Sequence, residues 1–83
     1  MSQAEEKLAA IAEQLKKGVA PPRESVRSFL LWFNAERRGF RVVRLIRNML
    51  RRYSLTTSPD FEQAYIDGQI AFQKAPGVGL QVS

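Results

Sequence analysis

Residues 40–53, with the sequence FRVVRLIRNMLRRY, decide the fold prediction because their apolar and polar side chains recur with the period of an α-helix. At 100° per residue from Phe40, the apolar side chains fall at about 140–300° and the polar ones between about 340° and 120°. Phe40 itself lies on the polar side. The stretch therefore predicts a strongly amphipathic helix, with one face for the core and one face of arginines.

The arginine face belongs to a basic block that covers residues 23–52. This block holds nine arginines, no lysine and two glutamates, which gives it a net charge of +7 within a chain of net charge +5. Arginine presents a planar fork of donors that matches phosphate and carboxylate groups. The pattern predicts an anion-binding face, and Asn48 in its midst is suited to an adenine edge. The candidate nucleic-acid-binding residues are Arg37, Arg38, Arg41, Arg44, Arg47, Asn48, Arg51 and Arg52.

Two helices are predicted before this one. Residues 24–33 form the first candidate, capped near Ser25 and followed by a polar turn that ends at Gly39. Residues 2–17 form the other, with Ser2 and Glu5 at capping-box spacing and Gly18 as its stop. Its apolar seam is thin, so it must pack on its own domain, on a copy of itself or on a partner. The candidate partner-binding residues are Leu8, Ile11 and Leu15.

The residues after the arginine-rich helix are acidic and carry a different signal. Ser58-Pro59-Asp60 has the composition of a helix start, with serine as N-cap and proline at the first helical position. Residues 69–73 alternate like a short strand, and residues 74–83 are predicted to be a flexible tail.

These elements predict an all-α or mostly α fold, a module of three to four helices with a helix-turn-helix-like core and at most a short C-terminal strand. Residues 1–22 would be an N-terminal amphipathic helix and a proline-rich break, residues 23–73 the helical domain, and residues 74–83 the tail.

Composition excludes several kinds of chemistry. The chain has no cysteine and no histidine, so thiolate zinc sites, imidazole bases and cysteine nucleophiles are absent. Asp60 and Glu62 do not face each other at helical spacing and make no acid–base pair. We therefore expect a non-enzymatic protein without metal or cofactor. No apolar stretch suits a membrane span or a signal peptide, so a cytoplasmic location without membrane contact is the expectation.

Residues 26–72 also resemble a known kind of module. The end LLWF of the second helix, the turn ERRG, Ile46-Arg47 with Leu50, and the segment SPDFEQAYIDGQIAF resemble a small helical module at the N-terminus of some prokaryotic proteins, where CBS domains follow in places. The order of helices and turns is also similar to part of a winged-helix domain. That resemblance implies that residues 40–53 are the recognition helix.

Two functions remain open at this point. In the first, the arginine face binds duplex DNA, with the helix in the major groove. In the second, the chain is a protein-interaction module, in which the arginines pair with an acidic partner or the N-terminal helix forms a homodimer. Acids of the chain itself, at positions 60, 62 and 67, are further candidates to cover the arginines. Arginines of the predicted recognition helix that are exposed and contiguous would favour DNA, whereas arginines covered by Asp60, Glu62 or Asp67 would favour protein interaction.

Overall fold

The structure is a computed structural model and describes residues 3–75. Within that range the chain forms three helices and a three-stranded antiparallel sheet. In chain order the elements are α1 (Gln3–Lys16), β1 (Glu24–Ser25), α2 (Val26–Leu31), α3 (Phe40–Arg52), β2 (Leu55–Ser58) and β3 (Gln69–Lys74).

The three helices lie where the sequence predicts them, with shorter ends. Helix α2 begins after Ser25, whose hydroxyl accepts the Ser28 N–H at 3.1 Å. Helix α1 ends at a turn in which Gly18 has φ +80°, a conformation that favours glycine. The proposed cap residue Ser2 lies outside the described residues. The start of α2 and the end of α1 were therefore predicted correctly from local signals.

The all-α fold class is wrong, because the chain builds a sheet whose strand order is β1-β3-β2. Strand β3 occupies the stretch expected to be a strand. It pairs with β2 from Leu55↔Lys74 to Ser58↔Ala71, and with β1 at two positions only. The fold is mixed α/β.

The helix expected to start at Ser58 is also wrong. Ser58 ends β2, and residues 59–68, here called the β2–β3 loop, carry the chain back to β3. A single turn remains of the predicted helix, in which the Asp60 carbonyl accepts the Gln63 and Ala64 N–H groups at 2.9 and 3.0 Å. The Thr57 hydroxyl, rather than Ser58, accepts the Phe61 N–H at 3.0 Å. Strand pairing on both sides confines the predicted helix to the residues of this loop, and a single turn of it forms.

An aromatic cluster forms the centre of the core. Phe29 of α2 meets the rings of Trp32, Phe33, Phe61 and Phe72 edge-on, at centroid distances of 5.4–5.7 Å. Trp32 stacks on Phe72 of β3. Helix α3 contributes Ile46, Met49 and Leu50 to the same core.

Helix α1 shares that core through Ala4, Leu8 and Ile11. The proposed arm over residues 1–22 thus packs, as far as the structure describes it, on the same core as residues 23–73. Of the tail proposed over residues 74–83, Lys74 belongs to β3 and residues 76–83 lie outside the described residues.

Candidate nucleic-acid interface

One face of α3 exposes four polar side chains at helical spacing. They follow each other at intervals of three, four and three residues, which places them on one side of a helix. We call them the open stripe: Arg41, Arg44, Asn48 and Arg51. Within residues 3–75, none of the three arginines forms an ion pair with an acidic side chain. The stripe is thus a row of unneutralised positive charge about 15 Å long, at 1.5 Å per residue.

Phe40 marks the N-terminal end of this surface. Its ring is 77% exposed, as its place on the polar face predicted, and lies 5.8 Å from the Arg44 guanidinium. A cation beside the face of an aromatic ring is attracted to the ring's electrons. This contact orients Arg44 without neutralising it. Arg37, in the turn before α3, is exposed and has no acidic partner among the described residues.

Arg47 lies beside the stripe but is paired with two carboxylates of the β2–β3 loop. Its Nη1 and Nη2 atoms donate to both carboxylate oxygens of Asp60 at 2.9 and 2.8 Å, and Nη2 also donates to Glu62 at 2.5 Å. Its guanidinium lies over the Phe61 ring, 4.6 Å from the centroid. We call this arrangement the Arg47 clamp. It joins α3 to the β2–β3 loop.

The clamp shifts the pKa values of Asp60 and Arg47. The hydrogen bonds from Arg47 lower the pKa of Asp60 below its usual 3.8, and burial opposes that effect only partly. The same bonds, first to Asp60 and then to Glu62, raise the pKa of Arg47. Asp60 and Arg47 are therefore both charged at neutral pH and form an ion pair.

Arg38 is engaged by the same loop in a different way. Its Nη1 donates to the backbone carbonyls of Phe61, Glu62 and Ala64 at 2.7, 3.2 and 2.6 Å. Three carbonyls that would otherwise lack a partner within the loop are satisfied by one cation. Arg38 therefore holds the loop against the turn before α3.

The eight predicted nucleic-acid-binding positions thus divide into two groups. Arg38 and Arg47 serve the β2–β3 loop, and Arg52 lies 3.5 Å from Glu5 of α1 in an exposed ion pair. The other five are open: Arg37, Arg41, Arg44, Asn48 and Arg51. Arg27 of α2, which was not among the predicted positions, also pairs with an acid of the loop, Asp67, at 2.8 Å. The sequence showed that acids 60, 62 and 67 were the charged residues of the loop, but not which arginine each would meet.

The three predicted partner-binding residues of α1 face the interior. Leu8 is fully buried and Ile11 nearly so, while Leu15 is partly buried against the core. A second molecule could reach Leu8 and Ile11 only by displacing α1 from its own domain, whereas the partly exposed Leu15 is accessible at the surface.

Residues 3–75 offer neither a candidate metal site nor a candidate membrane span. They contain no cluster of three or more acidic side chains placed to hold a metal ion. No helix in this range has the length and the apolar character that crossing a bilayer requires.

The comparisons with known proteins add no further assignment. No family model, curated protein or solved structure matches this chain.

Proposed function

We propose that this protein is a non-enzymatic DNA-binding module that contacts duplex DNA through the open stripe of α3 and through Arg37. The observation that carries the proposal is the stripe itself, three arginines and an asparagine on one exposed helix face, where no acid of residues 3–75 forms an ion pair with the arginines. Phosphate contacts by such side chains supply most of the affinity of a DNA-binding protein.

The order of the elements supports the same proposal. Helices α2 and α3 with the turn between them, followed by two paired strands and a sheet of order β1-β3-β2, correspond to the arrangement of a winged-helix domain. In a helix-turn-helix unit the second helix enters the major groove, and its N-terminal residues meet base edges. Helix α3 is the second helix of this unit, and its exposed face carries Arg41 and Arg44 in the N-terminal half and Asn48 one turn further on.

The proposal assigns different tasks to the members of the surface. Arg37, Arg41, Arg44 and Arg51 bind phosphates and set affinity, whereas Asn48 is the one amide among them that can pair with an adenine edge. Four phosphate contacts predict a log–log salt slope of about −3.6, at about −0.9 for each.

Fluorescence anisotropy of a labelled duplex across a salt series tests the proposal. We expect Arg44→Gln to make the slope shallower by about 0.9 and to weaken binding about five- to tenfold at about 0.1 M salt. Arg23→Gln is the matched control, since Arg23 is exposed, carries the same charge and precedes β1, the sheet edge opposite β2. Equal losses in both variants would show attraction by net charge alone, and no binding by the wild-type protein at low salt would overturn the proposal.

A second candidate, docking of an acidic protein, is favoured by one observation. Leu45 is 48% exposed at the border of the stripe, where a shallow groove also includes Trp32, Phe33 and Met49. An acidic amphipathic helix would place carboxylates on the arginines and an apolar side chain against Leu45. This candidate predicts that Leu45→Ala weakens partner binding, whereas DNA binding would change little.

A further inference from the structure

The β2–β3 loop differs in charge from the surface it adjoins. Residues 53–73 contain Asp60, Glu62 and Asp67 and no lysine or arginine. A loop that follows phosphates needs cations, and carboxylates beside a phosphate are repelled. The loop is therefore unsuited to lie on a DNA backbone, although it packs directly against α3.

Arg47 is placed where a further phosphate contact would be expected. It lies three residues after Arg44 and four before Arg51, which are neighbours of Arg47 on the helix surface. Its side chain is 40% exposed, so water and ions reach it. Three of its five N–H donors nevertheless bind Asp60, in a bidentate pair, and Glu62, and the bidentate pair is the geometry in which arginine also binds phosphate.

We propose that Asp60 and Glu62 act as internal substitutes for a phosphate group, withholding Arg47 from DNA and confining the interaction surface to the open stripe and Arg37. The inference rests on the DNA-binding function proposed above. It defines the border of the surface: the duplex lies along the stripe and stands away from the β2–β3 loop.

Anchors other than the clamp make the proposal testable. Phe61 is fully buried among the core rings, and Arg38 holds three loop carbonyls, so the loop keeps its position when the clamp carboxylates are neutralised. The double variant Asp60→Asn/Glu62→Gln preserves size while it frees Arg47. We expect it to bind the duplex about five- to tenfold more tightly at about 0.1 M salt, with a slope steeper by about 0.9, the effect of one added phosphate contact.

A cycle with Arg47→Gln separates a freed arginine from a simple gain of charge. Adding the two carboxylate substitutions to Arg47→Gln removes the same two charges as adding them to the wild-type protein. A pure charge effect therefore gives equal gains in both backgrounds, whereas recruitment of Arg47 gives the extra five- to tenfold gain only where Arg47 is present. Asp67→Asn is a control that measures how removal of one loop charge away from Arg47 changes DNA affinity, since Asp67 pairs with Arg27.

Each outcome of the anisotropy cycle decides between the proposals. Binding by the wild-type protein with equal gains in both backgrounds overturns this inference and leaves the DNA-binding function intact. Binding by the wild-type protein with the extra gain only where Arg47 is present supports the inference. Binding by the double variant alone overturns both proposals, since the open stripe and Arg37 would then fail to bind the duplex in the wild-type protein. Failure of every variant to bind at low salt overturns both. Thermal unfolding by circular dichroism checks that the variants are folded. If the double variant is unfolded, the same cycle is run with Glu62→Gln alone. That variant leaves Asp60 in place, so its gain in DNA affinity should be smaller and of the same sign.

Discussion

Helix α3 and the β2–β3 loop lie against each other, yet they are opposite in charge and are held in place differently. The helix buries Ile46, Met49 and Leu50 along its length and presents arginines outward. The loop buries one large side chain, Phe61, and relies on Arg38 and Arg47 for its polar contacts. Whether an arginine is free to bind an external anion therefore depends on where the neighbouring acids lie rather than on the net charge of its segment.

The largest loss of stability is expected at Phe61, the one large side chain that the loop buries fully. Phe61→Ala should lower the free energy of unfolding by about 3–5 kcal/mol, because it removes a fully buried ring and leaves a cavity beside Phe29. Urea denaturation measures the change. The control is Tyr65→Ala in the same loop, where an 87% exposed ring predicts a change within about 0.5 kcal/mol. Similar values for the two variants would show that Phe61 does not anchor the loop.

A somewhat smaller effect is expected in the helix, where several side chains share the anchoring. Ile46→Ala should cost about 2–5 kcal/mol, because Ile46 is fully buried in the centre of α3. Its neighbour Leu45 provides the matched control, since it is half-exposed and Leu45→Ala should cost much less. The reverse ranking in urea denaturation would contradict the assignment of the two faces of α3.

Helix α3 and the β2–β3 loop also differ in how well their structure could be predicted from the sequence. Helix α3 carries its own signal, since its apolar period, its arginine face and even the exposed Phe40 follow from spacing within fourteen residues. The N-cap at Ser25 and the stop at Gly18 are equally local. These elements were predicted because neighbours in the sequence determine them.

The sheet and the loop depend on partners that are distant in the sequence. Strand β1 is two residues long and exists only because Glu24 and Ser25 pair with β3. Ser58-Pro59-Asp60 has a genuine local helix signal, but pairing of Ser58 with Ala71 commits the residue to the ladder. Tertiary pairing overrode local propensity here, and no pattern in a single segment reveals that.

The candidate site shows the same division. The phase of α3 correctly placed the arginines of the open stripe on the outer face. The engagement of Arg47 by Asp60, thirteen residues away, and of Arg38 by loop carbonyls up to twenty-six residues away requires the folded loop. The sequence identified the acids that could pair with the arginines. Which arginines they pair with depends on the folded loop.

The smallest effect, and the one that examines the contact between helix and loop directly, is expected from Asp60→Asn. The variant should lose about 0.5–1 kcal/mol of unfolding free energy at neutral pH, since the clamp is partly exposed and solvent weakens its ion pair. Because Arg47 lowers the pKa of Asp60 in the folded protein, the contribution is present above the pKa of the unfolded chain and is lost as the pH falls through the lower, folded value.

Urea denaturation of the wild-type protein and Asp60→Asn from pH 7 down to about pH 2 should therefore give two stability curves that converge below pH 3.8, where the wild-type carboxyl becomes protonated. Asp67→Asn is the control on the same loop. Its ion pair with Arg27 has similar geometry but is more exposed, so its loss should be smaller and should shrink further in high salt. Curves that stay separated at low pH would mean that Asp60 stabilises the loop through its uncharged contacts, such as the bond it accepts from the Glu62 N–H. The contact between α3 and the loop would then be stabilised by uncharged hydrogen bonds and packing rather than by the ion pair.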